Sequence, residues 1–331
     1  MTGADFDKLF SFFTGLKVGV IGDAMLDTYW WGRVERISPE APVPVVTVTK
    51  KEQRIGGAGN VALNVAAMNA KVSLVSVVGD DDDAEQLISL LQKNNIETSY
   101  LFKSKDRVTT NKIRIISRNQ HMMRLDAEIT NILSQEDDEA LFSLLKKYII
   151  KEKPAIVILQ DYNKGVLSTQ NIEKIIGLCK EHNVLTAVDP KRKNFFSYKG
   201  VDIFKPNLNE AKEGLNIIAD DVNEDLLHEI HNSLSLQLSH KISFITLSEK
   251  GVFYENGKSH NIIPTHIRSI ADVSGAGDTV IAVCSVVYAA TQDVHLMAEV
   301  ANIAGGMVCE EVGTVAVDKE KLLAECKTLL T

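Results

Sequence analysis

The strongest constraint on this chain is a rhythm of short apolar runs separated by longer stretches with helical periodicity. The runs at 17–21, 71–78, 155–159, 185–188, 203–204 and 243–247 are too short for helices and have no polar face, as expected of strands covered on both sides. Segments 58–69, 83–94 and 136–151 between them have helical character. The alternation predicts an α/β fold, a three-layer α/β/α sandwich with a mainly parallel sheet. In such sheets ligands collect at the carboxyl ends of the strands. Asp161, Asp189, Asn207 and Ser248 each fall just past a run, which places them on one rim.

Two segments break the rhythm. About 29–55 and 98–126 are rich in β-formers (Val43, Val45, Thr47 and Thr49 in the first, Lys112-Ile-Arg-Ile-Ile-Ser-Arg118 in the second). They read as a small β-sheet lid on a single domain spanning 1–331, with Pro39, Pro42 and Pro44 favouring edges and turns. Such a flap leaves an apolar face, so a homodimer through the lid is expected. At 331 residues and 45% hydrophobic, the chain can bury a large core. A net charge of −8 argues against nucleic acid or an anionic membrane as partner. Four cysteines without C-x-x-C spacing suggest buried thiols in a reducing compartment. With no signal peptide or membrane span apparent, a cytoplasmic protein is expected.

The most chemical stretch is 272–280, Asp-Val-Ser-Gly-Ala-Gly-Asp-Thr-Val, which runs into an apolar segment long enough for a buried helix. Gly275, Ala276 and Gly277 then lie at a helix N-terminus, whose open N–H groups and dipole form an anion site. A carboxylate there would repel a resting anion, so Asp278 is better suited to take a proton from a hydroxyl while the amides stabilise a transferring phosphoryl group. The alternative is a glycine cap followed by a helix-favouring Asp. Two other matches fail in context. Gly57-Ala58-Gly59-Asn60-Val61-Ala62 fits a dinucleotide fingerprint but lacks the buried strand before it. Gly257-Lys258-Ser259 resembles the end of a phosphate loop, yet Asn256-Gly257 between β-like runs is a hairpin turn.

On these motifs the chain resembles the ribokinase or carbohydrate kinase family. The resemblance covers nearly its whole length. It rests on Gly56-Gly57-Ala58-Gly59-Asn60, on 272–280, and on Asn207-Leu208-Asn209-Glu210 after Lys205-Pro206. The segments Gly22-Asp23-Ala24-Met25-Leu26-Asp27, Arg36-Ile37-Ser38-Pro39-Glu40, Asp161-Tyr162-Asn163-Lys164-Gly165 and Asp189-Pro190-Lys191 are similar to the heptose-kinase branch, the kinase part of ADP-heptose synthases. One departure is Gly59, where those kinases often carry alanine.

The resemblance implies ATP-dependent phosphorylation of the anomeric O1 of D-glycero-β-D-manno-heptose 7-phosphate on the route to the lipopolysaccharide core. A kinase of another sugar, sugar phosphate or nucleoside is the alternative, and a non-catalytic sugar sensor a further one. The H-x-G-H motif of the fused nucleotidyltransferase is absent from this sequence, so a separate nucleotidyltransferase is expected downstream. Asp278, with an ordinary carboxylate pKa of about 4, corresponds to the family's base, and Gly275, Ala276 and Gly277 to its anion hole. Asp27, Gly57 and Asn60 correspond to the sugar side, with Asp27 expected at the end of the first strand. Cations for the distal phosphate are sought among Arg33, Arg36, Lys112, Arg114, Arg118 and Lys164. Lys191 would face the ATP phosphates. Asn207, Leu208, Asn209 and Glu210 would lie near the triphosphate, with Asn207 and Glu210 holding Mg2+ through waters. Alternatively, Asn207 and Glu210 simply cap a helix. Thr246, Gly251 and Asn302 would lie by the adenine and ribose.

Overall fold

Lys17–Gly22 is apolar throughout its interior and runs through the middle of the main sheet, parallel to Lys71–Gly79 on one side and Ile156–Gln160 on the other. Beyond Ile156–Gln160 the parallel order continues through Leu185–Asp189, Ile203–Phe204 and Ile242–Thr246. An antiparallel hairpin, Val252–Glu255 and His260–Ile263, closes that edge. Its turn holds Gly257 at a φ of +75°, in the left-handed region that glycine enters without strain. The structure, a computed structural model, describes residues 2–118, 120–219 and 221–331.

A hydrophobic cluster lies on each face of this sheet. Helices Gly3–Phe12, Ala58–Ala67, Asp82–Lys93, Ala276–Thr291, Val294–Val308 and Lys319–Leu329 contribute to one. Gln135–Glu152, Thr169–Glu181, Leu208–Leu215 and Glu224–Leu238 contribute to the other. In Ala276–Thr291 every residue from 278 to 287 is buried, as a helix apolar on all sides must be. All four cysteines are buried and unpaired. Among the described residues no helix is long and apolar enough to cross a membrane.

A second sheet carries the lid, in the order Pro44–Gly57, Ala24–Ile37, Thr110–Ser117, Gln120–Ala127. Two boundaries differ from the sequence expectation. The lid begins at Ala24, immediately after Asp23, so Asp27 lies within a lid strand and not at the end of the first core strand. In the second segment, Leu101–Ser104 pairs with Lys71–Gly79 and belongs to the core sheet. Its β-character was legible, but which sheet it joins depends on a pairing that local composition does not encode. The prolines lie as expected, with Pro39 and Pro42 in the connection and Pro44 opening a strand.

Candidate active site

Gly275 caps Ala276–Thr291 at a φ of +82°. A Cβ there would sit 3.0 Å from Thr314 Cγ2 and 3.1 Å from Asn60 Nδ2, so both conformation and space favour glycine. The Ala276 amide bonds back to Val273 and that of Thr279 to Gly275, whereas the amides of Gly277 and Asp278 find no acceptor among the described residues. Two N–H groups are therefore open at the positive end of a long helix.

Asp278 is buried beside them. Its Oδ2 accepts from Asn60 Nδ2 at 2.7 Å, and its Oδ1 from the Tyr162 hydroxyl at 2.7 Å and from Gln160 Nε2 at 3.2 Å. Burial raises its pKa to about 6; the bonds from Asn60 and Tyr162 oppose that rise, Asp189 adds to it and Lys205 offsets it. The ordinary value expected from sequence is thus displaced towards neutrality by desolvation. Asn60 reaches this carboxylate because its helix starts directly after the lid strand that ends at Gly57. Gly57 turns there at a φ of +58°, where a Cβ would overlap the Asp23 carbonyl oxygen. A Cβ on Gly59 would lie 2.5 Å from Ile55 Cγ2, so the alanine of similar kinases requires Ile55 to shift.

On the neighbouring strand ends, Asp189 Oδ2 pairs with Lys205 at 3.2 Å, both side chains being almost fully buried. Asp189 Oδ1 has no hydrogen-bond partner among the described residues and lies 3.6 Å from Lys191 Nζ. Lys191 also pairs with Glu210, and these two carboxylates hold its pKa above the usual lysine range despite burial. Asn207 and Glu210 form a reciprocal capping box, Asn207 Oδ1 accepting the Glu210 amide and Glu210 Oε2 the Asn207 amide, each at 2.8 Å. Leu208 packs against the core and Asn209 is exposed, both in the first turn of that helix. Thr246 lies beside Asn207 through a parallel bridge. Gly251 turns at a φ of +96° after it, and Asn302 Nδ2 ties its helix to the Pro264 carbonyl at 2.9 Å.

The lid supplies the remaining charges. Asp27 pairs with Arg114, and Lys164 with Glu128 at 2.7 Å, which leaves Lys112 without a paired carboxylate among the described residues. Burial, then the nearby Lys164, push the Lys112 pKa down, and its Nζ lies 5.9 Å from the Tyr162 ring. Arg33 is not brought to this group. It is exposed, six residues beyond Asp27 on the same strand, or about 20 Å at ordinary strand rise. Arg36 and Arg118 are likewise exposed on the lid. Asp161 follows directly on the strand end at Gln160, as expected, but is fully buried and accepts from Asn194 Nδ2, the Tyr198 hydroxyl and the Asn163 amide.

Four participants were not singled out from sequence. Gln160 and Tyr162 touch the Asp278 carboxylate, Lys205 pairs with Asp189, and Asp23 accepts the amides of Tyr162, Lys164 and Val166. Tyr162 and Asp23 stood inside matched motifs, and that was their only signal.

A buried carboxylate beside open helix-terminal amides, bordered by lysines, has the parts that phosphoryl transfer uses. Comparison with known proteins agrees: residues 16–321 match the model of the pfkB family carbohydrate kinases, and the chain belongs to that family. It is 40% identical over 309 residues to the bifunctional protein HldE of Aliarcobacter butzleri (strain RM4018), a match covering 92% of this chain and 63% of the relative. To the protein of the same name from Helicobacter pylori (strain G27) it is 38% identical over 314 residues, covering 92% and 65%. The chain thus spans just under two thirds of the length of these curated relatives. In fold it is similar to phosphofructokinase-2 from Escherichia coli in complex with potassium, with a TM-score of 0.77 at 16% identity over 94% of this chain and 99% of that one. Arabidopsis thaliana ribokinase complexed with ribose and ATP gives 0.73 at 16% identity over 93% and 98%.

Proposed function

We propose that this carbohydrate kinase transfers the γ-phosphoryl group of ATP to the anomeric hydroxyl of D-glycero-β-D-manno-heptose 7-phosphate. The observation that carries the proposal is Asp278, held beside the open amides of Gly277 and Asp278. Asp278 accepts the hydroxyl proton as the bond to phosphorus forms, and an anomeric hydroxyl is acidic enough for a carboxylate with a pKa of about 6. The open amides of Gly277 and Asp278 stabilise charge on the transferring group, whereas the Ala276 amide, expected in the anion hole alongside Gly275 and Gly277, is taken by the Val273 carbonyl. Asp27, Gly57 and Asn60 form the sugar side. Lys112, with no paired carboxylate among the described residues, is the leading cation for the distal phosphate, with Arg114 and Lys164 flanking it.

Lys191 and the helix start at Leu208 and Asn209 face the nucleotide phosphates, and Thr246, Gly251 and Asn302 its nucleoside. The oxygens next to Lys191, Asp189 Oδ1 without a partner and Glu210 Oε1, are hard donors that suit magnesium. Because Asn207 and Glu210 already cap each other, they fit a hydrated ion reached through water. Magnesium bound with the nucleotide supplies charge neutralisation at the transferring group.

The lid exposes Ile37, Val43, Val48, Met122, Met123 and Leu125, which supports a homodimer closed through it. Light scattering on the purified chain should give twice the monomer mass.

The catalytic test is ATP consumption over a panel of sugars and sugar phosphates, with products read by phosphorus NMR. A new anomeric phosphate on heptose 7-phosphate is the expected result. Turnover with another acceptor alone would discard the heptose assignment, and no turnover with any acceptor would discard the kinase reading of the site.

A further inference from the structure

The grip on Asp278 is uneven. Oδ1 accepts from both the Tyr162 hydroxyl and Gln160 Nε2, whereas among the described residues Oδ2 accepts from Asn60 alone. A carboxylate oxygen takes about two hydrogen bonds in its plane. Oδ1 is therefore saturated, and Oδ2 keeps one open position beside Asn60.

Tyr162 is mounted to hold this arrangement. Its amide and those of Lys164 and Val166 donate to the buried Asp23 carboxylate at 2.8, 3.0 and 3.0 Å, which anchors the loop to the start of the lid. Its ring lies 5.9 Å from Lys112 Nζ on the lid and 5.9 Å from Lys191 Nζ on the opposite rim, within the range where a cation is drawn to an aromatic face. Burial and then the charge of Asp278 push the phenol far above its ordinary pKa. It stays protonated at working pH and towards the carboxylate it acts only as a donor.

We propose that Tyr162 is a positioning residue for phosphoryl transfer: by occupying Asp278 Oδ1 it fixes the rotation of the carboxylate, keeps it ionised and directs proton acceptance to Oδ2. The proposal rests on Asp278 being the base. Its physical content is that a charge-assisted hydrogen bond favours the ionised acceptor, in opposition to desolvation. The other groups facing Asp278 are Asp189 and Lys205 from the adjoining strand ends, and Lys191 beside them; Asp27 and Lys112 face the tyrosine from the lid. Removing one phenolic oxygen alters none of these charges.

The experiment compares pH–rate profiles of the full chain and Tyr162→Phe. Loss of a hydrogen bond to a charged group predicts kcat lowered about tenfold or more near neutral pH. The acid limb should move up by about one pH unit, so that activity partly recovers at alkaline pH, with KM for the sugar within about twofold of the parent. A purely structural role would lower Tm and scale the profile without moving its limb. A limb that stays in place, or a change confined to KM, overturns the proposal.

A fluorinated tyrosine at position 162 keeps the shape and strengthens the donor, so the limb should move down; an unmoved or raised limb also overturns it. Carbon-13 NMR titration of the Asp278 carboxyl in the unliganded protein, assigned with Asp278→Asn, reads the same shift without turnover. Asp278→Asn also separates the two claims. Near-normal turnover in that variant removes the base assignment. An inactive Asp278→Asn with an unmoved Tyr162→Phe profile removes only the role of Tyr162.

Discussion

Lys205→Met should be among the most destabilising single substitutions near the site, and its magnitude follows from burial. Lys205 Nζ lies 3.2 Å from Asp189 Oδ2, with the two side chains 3% and 6% exposed. Removing Lys205 leaves the buried Asp189 carboxylate with only the more distant Lys191, 3.6 Å away, as a cation among the described residues, and breaking a buried pair in this way costs up to about 3–5 kcal/mol. For 331 residues, an unfolding entropy of about 2.1 cal/mol/K per residue totals roughly 0.7 kcal/mol/K, so Tm should fall by about 4–7 °C. The remaining negative charge sits close to Asp278, whose pKa Lys205 helps to lower, and the acid limb of the rate profile should rise as well. Replacing both partners, Lys205→Met with Asp189→Asn, should recover most of the loss, because no unpaired charge is left. Calorimetry and urea unfolding of the two single variants and the double variant form a complete cycle. Equal destabilisation of Lys205→Met and the double variant would refute the reasoning, since packing and not charge would then account for the cost.

Asp278→Asn should lower kcat by about 10²–10⁴-fold with ATP affinity retained, as measured by calorimetric titration. Because the folded-state pKa of Asp278 is raised to about 6 from 3.8, the native state binds more protons than the unfolded one in that window. Its contribution therefore destabilises increasingly as pH rises from about 4 to 6, by up to ~3 kcal/mol above that, and Asp278→Asn should melt higher than the parent at pH 7.5. In the unsubstituted protein kcat/KM should fall about tenfold per pH unit below about 6. Gly57→Ala, at a φ of +58° with a Cβ directed into the Asp23 carbonyl, should cost about 2–4 kcal/mol in denaturant unfolding. Lys112→Ala should raise KM for a phosphorylated sugar by about 10–100-fold with little change in kcat, and an unchanged KM would remove it from the distal-phosphate role.

The fold was legible because buried parallel strands leave a local mark. The runs at 17–21, 155–159 and 203–204 lie within a residue or so of observed strands, and the hairpin at Asn256-Gly257 lies where turn chemistry put it. The helix start at Gly275 was equally local. What was not legible depends on partners distant in sequence. Asn60 and Asp278 are 218 residues apart and Tyr162 and Asp278 are 116 apart, so no spacing rule connects them. Register hid the lid chemistry: Asp27 stands opposite Lys112 in the parallel pairing, yet its ion pair is with Arg114, two residues on. The stretch from Asn207 to Glu210 illustrates a different limit. An acceptor followed three residues later by a carboxylate is at once a capping box and a metal-facing motif, and the observed geometry is the capping box.

The lid does not hang from the core by neutral connectors. One of its strands leaves directly after Asp23, the mount of the Tyr162 loop, and the next re-enters three residues before Asn60, the other grip on Asp278. Both roots of the flap are thus mechanically continuous with two of the three hydrogen bonds that hold Asp278. A torque on the flap reaches the carboxylate through a few peptide units. This continuity predicts that the lid acts as a lever as well as a cover, so that substitutions near its tip change kcat along with KM. Measuring both constants for variants at Ile37 or Met123, far out on its strands, would show whether that mechanical link operates.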